Sequence, residues 1–316
     1  ISTALGCSFE PELVKELAHA AAEEAAADGL NVTFSPMVDL LRDARWGRVS
    51  ESYSEDVWLN SLYSRAMVEG YQGDDLSAPD TIAACVKHFA AYGGAEAGRD
   101  YNGVELSERM LREHYLPAYR AAVDAGAAVV MSAYQTINEI PCSHNKRLLK
   151  DILRDEWGFD GVLITDYATL KTVQRHGSVQ NLVNSAELAL NATTDIDMMD
   201  NVYCAYLKTA LEQGKVTMEQ VDTAVMRILE LKNKLGLLDN PYRYCEGEKP
   251  AVHHEENQKK AYEAVVKSCV LLKNEDKALP LDSKKKIAFI GPFVDSLKVN
   301  LALWSLGMPH RNPGVT

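Results

Sequence analysis

The stretch "GFDGVLITDYATL", residues 158 to 170, carries an apolar and β-branched run, Val162 to Thr165, that leads directly into Asp166. A short apolar run bounded by Gly161 predicts a buried strand of a parallel sheet, because helices cover both faces of such strands. Asp166 then stands at the carboxyl end of the strand, where α/β sheets and barrels hold their binding and catalytic groups. An aspartate at this position also caps helices, so this stretch alone leaves Asp166 open between capping and catalysis.

Further runs of the same kind are "NVTFSPMV" (31–38), "IAACVKHF" (82–89), "AVVMSAY" (128–134) and "DIDMM" (195–199). Segments of helical period separate or follow them. The predicted helices are Glu12 to Asp28, Val57 to Tyr71, Glu108 to Ala125, Lys146 to Trp157 and Met218 to Leu235. Alternating strands and helices predict an α/β fold with a parallel sheet.

After Leu238 the chain changes to "DNPYRYCEGEKPAVHHEEN", which is rich in turn-forming and charged residues. A helix from about Glu255 to Leu272 and a strand "KIAFIGP" at 286–292 are predicted to follow. We therefore expect a first domain over 1–238, a linker over 239–254, and the beginning of a second α/β domain over 255–316 that the chain cuts short.

Composition excludes several classes of function. The chain has 33 Lys and Arg against 45 Asp and Glu, a net charge of -12, which repels polyphosphate and argues against nucleic-acid binding. No apolar stretch approaches the roughly 20 residues that span a bilayer, so no membrane partner is predicted. "HHEE" at 253–256 lacks the HExxH spacing of metal ligands and reads as a solvated helix start. We expect no metal and no cofactor.

Two charged segments follow predicted strands. "RDARWGRVSESYSED", 42–56, contains Arg48, whose planar fork suits vicinal hydroxyls or a carboxylate; a salt-bridged loop is the alternative. "CVKHFAAYGG", 85–94, places Lys87 and His88 at a strand end. Lys87 can act as a hydrogen-bond donor or a Schiff-base nucleophile, and His88 as an acid, a base or an orienting donor; a structural role is the alternative for both.

Five segments, in this order and at this spacing, resemble glycoside hydrolase family 3, the β-glucosidase and β-xylosidase family. They are "FSPMVDLLRDARWGRVSESYSED", "CVKHFAAYGG", "LPAYRAAVDAGAAVVMSAY", "LLKDILRDEWGFDGVLITDY" and "RILELKNKLGLLDNPY". The resemblance extends from about Glu12 to Gly291. It implies a (β/α)8, TIM-like barrel, with its first strand region missing from this chain, followed by an α/β sandwich domain.

The resemblance also implies roles for individual residues. Asp166, in "ITDY" where the family usually has SDW or SDH, would be the catalytic nucleophile. Arg48, Lys87 and His88 would hydrogen-bond the hydroxyls of the glycone, the sugar that is released. Tyr134 and Tyr167 would line the same subsite.

From this resemblance we expect a retaining, exo-acting β-glucosidase that acts on small oligosaccharides or glycosides through a covalent glycosyl-Asp166 intermediate. The alternatives are a β-xylosidase or α-L-arabinofuranosidase of the same family, a non-catalytic sugar-binding relative, and a barrel lyase that uses Lys87 as a Schiff base. The family's G-[IVM]-D-x-x-H-G segment is expected to precede this chain, and its acid/base glutamate to lie beyond Thr316. The loop "AAYGGAEAGRDYN" lacks the Asp and His arrangement of the N-acetylglucosaminidase branch, which is therefore disfavoured.

Neither compartment nor assembly follows from a particular motif. No charged n-region with an apolar core precedes Ile1, and we expect a cytoplasmic protein, with the periplasm or secretion as alternatives. A homo-oligomer is left open.

Overall fold

The computed structural model describes residues 1–175, 177–244 and 252–294. Its central sheet consists of four parallel strands, β1 (Val32–Thr33), β2 (Ala83–Phe89), β3 (Val129–Ser132) and β6 (Val162–Ile164). Their order across the sheet, β1-β2-β3-β6, follows their order along the chain. A separate antiparallel hairpin follows β3 and consists of β4 (Thr136–Ile137) and β5 (Ile140–Pro141).

The sheet forms where the apolar runs predict it. Every residue of β3 and β6 is buried, and in β2 all but Lys87 are buried, as expected for strands covered on both faces. The predicted strand at 195–199 is wrong, because only Ile196 forms a bridge, to Ile164 of β6. The Asp197 carboxylate instead accepts hydrogen bonds from the amides of Val202 and Tyr203, at 2.6 and 3.1 Å, in the first turn of the following helix.

Helices surround the sheet. Among the described residues they are α1 (Ser2–Ser8), α2 (Pro11–Ala27), α3 (Val57–Gln72), α4 (Glu108–Met110), α5 (Pro117–Asp124), α6 (Thr169–Arg175), α7 (Leu182–Asn191), α8 (Val202–Glu212), α9 (Met218–Lys234) and α10 (His254–Lys267). Helix α9 begins with a capping box: the Gln220 amide donates to the Thr217 hydroxyl at 3.3 Å, and the Thr217 amide donates to the Gln220 side chain at 2.9 Å.

Two segments are wider than an α-helix. Leu111–Tyr115 and Arg147–Glu156 form π-helical turns, in which amides donate five residues back, as Leu116 does to Leu111 at 2.9 Å. The single helix predicted from Glu108 to Ala125 is therefore interrupted. Pro117 lacks an amide hydrogen and cannot continue the α-helical ladder, so the turn before it widens and α5 begins again at the proline.

Small residues let α2 and α3 pack closely. Helix α2 is rich in alanine, and Gly70 of α3 lies against it. A Cβ atom at Gly70 would collide with the carbonyl oxygen of Lys15 and the methyl group of Ala18. Helix α3 in turn contacts β2, and the largest side chains of the core are fully buried, among them Trp46, Tyr63 and Phe89.

Helix α10 packs on α2, where His253 lies 2.8 Å from Glu23 and Lys260 lies 3.6 Å from Glu16. The strand predicted at 286–292 is not formed. A strand needs a neighbouring strand for its backbone hydrogen bonds, and the described residues place none beside it, so Phe289 and Ile290 are exposed. Residues 245–251, within the predicted linker, and 295–316, at the end of the predicted second domain, lie outside the described residues.

Candidate active site

A cavity of about 540 Å³ opens at the carboxyl ends of the strands. Residues near the carboxyl ends of β2 and β3 and in the segments that follow β1 and β6 contribute to its lining, because parallel strands bring their carboxyl ends to one edge. The structure brings five of the six predicted site residues together in this lining: Arg48, Lys87, His88, Asp166 and Tyr167.

Apolar side chains line the cavity beside these charged groups. They include Phe34, Met37, Met131 and Met198. Such a lining excludes part of the water and thereby strengthens the electrostatic interactions of the charged groups with one another and with a ligand.

Asp166 follows β6, as predicted, with its side chain 18% exposed. One carboxylate oxygen accepts a hydrogen bond from the Tyr167 amide at 2.7 Å, and the other lies 3.8 Å from Nε2 of His88. The amide of Lys171, in the first turn of α6, donates to a different carboxylate, Asp200, at 3.0 Å. Because Asp200 caps this helix, Asp166 presents its carboxylate to the cavity.

Lys87 and His88 occupy the end of β2. His88 is 1% exposed and lies between two carboxylates, with Nδ1 2.8 Å from Asp39 and Nε2 facing Asp166. Burial lowers the pKa of Lys87, and the nearby charge of Arg48 lowers it further, whereas Glu51 and Asp166 oppose this. The ammonium group is therefore held in a partly desolvated position, where a hydrogen bond to a bound ligand is stronger than in water.

Arg48 forms a bidentate pair with Glu51, at 2.7 and 2.8 Å. Burial acts to raise the pKa of Glu51, but the Arg48 guanidinium and the charges of Lys87 and His88 hold it below its usual value. The guanidinium also lies 5.7 Å from the centre of the Tyr92 ring. The sequence left Arg48 open between a ligand-binding role and a salt-bridged loop. In the structure Arg48 is salt-bridged to Glu51 and also lines the cavity.

Asp39 is a site residue that the sequence analysis missed. It has no exposed surface, and its carboxylate contacts His88, Tyr92 and Tyr119. Burial alone would raise the pKa of Asp39, but hydrogen bonds from His88 and Tyr119 and the charges of His88 and Arg48 hold it below its usual value. Its position directly after "NVTFSPMV" repeats that of Asp166 after its own strand, and this was the available signal.

The two predicted tyrosines lie in different surroundings. Tyr167 lines the cavity and is 60% exposed. Tyr134 is not among the lining residues: its hydroxyl lies 2.7 Å from that of Thr172, and its ring centre lies 4.8 Å from that of Tyr101. The subsite role of Tyr134 stays a prediction.

Within 1–175, 177–244 and 252–294, no cluster of three or more His, Cys, Asp or Glu side chains is arranged to hold a metal ion. The helices of the same residues include none with the length and apolar character to cross a bilayer. A second cavity, of about 350 Å³, lies at the amino ends of β3 and β6, next to Gly126 and Gly161, away from Asp166.

Comparison with known proteins gives the family. The model of the glycosyl hydrolase family 3 N terminal domain matches residues 1–231. The chain belongs to glycosyl hydrolase family 3. This confirms the resemblance seen in the sequence.

Individual relatives include a periplasmic β-glucosidase of Salmonella typhimurium, 40% identical over 311 residues, which cover 96% of this chain and 40% of that protein. A β-xylosidase of Formosa agariphila is 38% identical over 305 residues, which cover 92% of this chain and 42% of that protein. The crystal structure of a β-glucosidase from Listeria innocua matches with a TM-score of 0.87 and 48% identity over 89% of this chain and 40% of that one. The Listeria enzyme has also been solved in complex with glucose, and a mutant of it in complex with laminaribiose.

These comparisons confirm the TIM-barrel-like α/β fold. The described strands form part of such a barrel wall: four strands, with Ile196 bridging to β6 at the next position. The chain spans about two fifths of the length of the relatives that it matches.

Proposed function

We propose that this chain carries the glycone site and the nucleophile of a retaining, exo-acting β-glycosidase of the β-glucosidase type. The observation that supports this most directly is the Asp166 carboxylate, which faces a cavity lined by cationic side chains while Asp200 caps the neighbouring helix. The Salmonella and Listeria relatives are named β-glucosidases, and the Listeria enzyme has been solved with glucose and a mutant of it with laminaribiose. The substrate would be a small oligosaccharide or glycoside with a terminal, non-reducing β-D-glucosyl residue.

In the proposed reaction, an oxygen of ionised Asp166 attacks the anomeric carbon, and the bond from that carbon to the glycosidic oxygen breaks. The leaving oxygen takes a proton from a general acid. A water molecule then attacks the same carbon, releases Asp166 and gives a sugar with retained configuration. Arg48 and Lys87 place basic side chains in the same cavity lining as the Asp166 carboxylate.

The proposed reaction also needs a general acid that protonates the leaving oxygen. A retaining glycosidase needs a protonated carboxyl group roughly 5 to 5.5 Å from the nucleophile. Glu51 is the second carboxylate of the cavity lining, but the Arg48 guanidinium keeps its pKa low and its carboxylate ionised. The resemblance to family 3 implies an acid/base residue beyond Thr316, and this position stays a prediction.

Glycone binding is proposed for Arg48, Lys87 and His88, whose nitrogen atoms can form hydrogen bonds with sugar hydroxyls, with Tyr167 at the same subsite. Burial makes such hydrogen bonds valuable, since a donor that loses its partner inside a partly desolvated cavity is left without compensation. Tyr134 would contribute only through Tyr101 or after a movement of its ring from Thr172.

A β-xylosidase or α-L-arabinofuranosidase is the second candidate, and the Formosa relative at 38% identity favours it. The two activities differ in whether the cavity accepts the hydroxymethyl group of glucose. Comparing kcat/KM for dinitrophenyl β-glucoside and dinitrophenyl β-xyloside decides between them, and a preference for the xyloside would replace the β-glucosidase assignment.

The remaining alternatives predict different results. The lowered pKa of Lys87 is a property that a Schiff-base lysine would share. Borohydride trapping with a carbonyl substrate would reveal such a lyase, and we expect no adduct. A non-catalytic sugar-binding relative would bind glucose in calorimetry without hydrolysing an activated glucoside.

The main test is Asp166→Asn, assayed with dinitrophenyl β-glucoside. We expect kcat to fall by more than about 100-fold, and a fall within about tenfold, or about 1.4 kcal/mol, would show that Asp166 is not the nucleophile. Asp160→Asn is the matched control, because this aspartate precedes β6 and is 83% exposed. Proton NMR of the first-formed sugar tests the stereochemistry: an initial β-anomer is expected, and an initial α-anomer would exclude retention.

The cytoplasmic assignment stays a prediction, and the name of the Salmonella relative supports the periplasmic alternative. Size-exclusion chromatography with light scattering would establish the oligomeric state.

A further inference from the structure

The buried carboxylate of Asp39 contacts the ring nitrogen of His88 that faces away from Asp166. Oδ2 of Asp39 lies 2.8 Å from Nδ1 of His88 and accepts from the His88 amide at 3.2 Å. Oδ1 accepts from the Tyr92 amide at 3.2 Å and from the Tyr119 hydroxyl at 2.6 Å. Asp39 has no exposed surface, so donors of the protein surround it.

These contacts determine where the proton of His88 lies. The hydrogen bonds hold the pKa of Asp39 below its usual value, and the carboxylate is ionised at neutral pH and can only accept. Nδ1 of His88 must therefore carry a proton, and Nε2 is the nitrogen that faces Asp166, 3.8 Å from Oδ2. That separation is too long for a direct hydrogen bond, so Nε2 is directed at whatever a ligand places beside Asp166.

We infer that Asp39 is a positioning residue: it fixes the proton of His88 on Nδ1 and the plane of its ring, and so directs Nε2 at the ligand beside Asp166. Which tautomer a histidine adopts is set by the hydrogen bond of its other nitrogen, and outer partners of this kind hold functional histidines in other sites. The inference rests on the proposed function only for the nature of the ligand.

Asp39 also has a structural effect, because it ties the amides of His88 and Tyr92 into the loop after β2. Its removal would therefore lower stability as well, and the test must separate the two effects. Tyr119→Phe is the matched control: it removes one donor to the same carboxylate and leaves the contact between Asp39 and the His88 ring in place.

The first measurement needs no substrate. Long-range ¹H–¹⁵N correlation spectra of the wild-type chain, with labelled histidine, report which ring nitrogen is protonated, and the His88 signals are those absent from His88→Gln. We expect a protonated Nδ1 in the wild-type chain. A neutral ring with the proton on Nε2 alone would overturn the inference, whether or not the chain hydrolyses glucosides.

The second measurement is a double-mutant cycle, read by calorimetry with isofagomine, a ligand of the Listeria enzyme. We expect Asp39→Ala to weaken binding by roughly 10- to 100-fold, by analogy with the range for the loss of an outer partner of a metal-binding histidine. Asp39→Asn keeps an oxygen for the Nδ1 proton and should bind more tightly than Asp39→Ala. In a His88→Ala background, Asp39→Ala should change binding by less than about threefold, because the residue through which it acts is gone.

An unchanged effect of Asp39→Ala in the His88→Ala background would show a purely structural role and refute the inference. So would an equally large loss in Tyr119→Phe. A wild-type chain that does not bind isofagomine would count against the proposed function instead, and the tautomer spectrum would then decide on Asp39 alone.

Discussion

His144 gives a stability prediction that can be calculated from its surroundings. It is 7% exposed, and its Nε2 lies 3.2 Å from the Ser185 hydroxyl. That hydroxyl donates its proton to the Leu170 carbonyl at 2.8 Å, so Nε2 must be the donor to Ser185. Among the described residues, Nδ1 has no hydrogen-bond partner. A second proton would create a buried charge without an acceptor, and burial accordingly lowers the pKa of His144 from 6.5 to about 4.

Whether stability rises or falls with pH depends on which state, folded or unfolded, binds the proton of His144. Between pH 6.5 and 4 the unfolded chain protonates His144 and the folded chain does not, so stability falls as the pH falls through this window. At about 1.4 kcal/mol per pH unit, the loss from this one residue reaches roughly 3 kcal/mol at pH 4 and does not grow further below it.

The assay is urea unfolding followed by tryptophan fluorescence at pH 7.5 and pH 4, for the wild-type chain and His144→Gln. Carboxyl groups titrate in both proteins and cancel in the difference. We expect the free energy of unfolding of the wild type, relative to the variant, to decrease by roughly 3 kcal/mol between the two pH values. In the exposed control His254→Gln it should change by less than about 0.5 kcal/mol. A constant difference for His144→Gln would refute the reasoning.

Further predictions concern the cavity and the core. Arg48→Ala and Lys87→Ala should each lower kcat/KM for dinitrophenyl β-glucoside by about 2 to 3 kcal/mol, and a change under about threefold would remove either residue from the glycone site. Residues 1–316 should hydrolyse cellobiose very poorly relative to dinitrophenyl glucoside. Proton donation by a general acid accelerates the departure of a poor leaving group by roughly 10² to 10⁴-fold. Efficient cellobiose hydrolysis would place the acid within this chain. Asp195→Ala should cost about 3 to 5 kcal/mol in urea unfolding at pH 7, since it leaves Arg154 and Arg227 without their shared buried carboxylate, and a loss below about 1 kcal/mol would contradict this.

The strands were predictable from the sequence because burial on both faces makes them continuous apolar runs. The run that begins at Val162 is the clearest case, and it also located Asp166. Helix boundaries were close where caps such as Thr217 mark them. Errors arose where a local pattern depends on its partners. The segment at 286–292 has strand composition, but no strand among the described residues lies beside it. The helix across Pro117 widens because the proline lacks an amide hydrogen.

The site was predictable residue by residue only where a motif carries it. Arg48, Lys87 and His88 stand in segments that resemble the family, and the structure brings them to one cavity with Asp166. Asp39 was missed because its role depends on Tyr119, 80 positions away, and on a ring nitrogen of His88. The spacing of residues along the sequence does not predict which buried donors will surround a carboxylate after folding.

The ion-pair cluster of Arg154, Asp195 and Arg227 lies at the amino end of β6, where Arg154 also binds the carbonyls of Phe159 and Gly161. Asp166 lies at the other end of the same strand, so one short strand separates the groups that hold the protein together from those that face the cavity. For protein engineering, this makes the amino end the place to seek heat resistance, since replacements at exposed positions such as Asp160 lie away from the reacting groups. Libraries aimed at new sugars would instead vary the loops after β1, β2 and β6 and leave the ion-pair cluster intact.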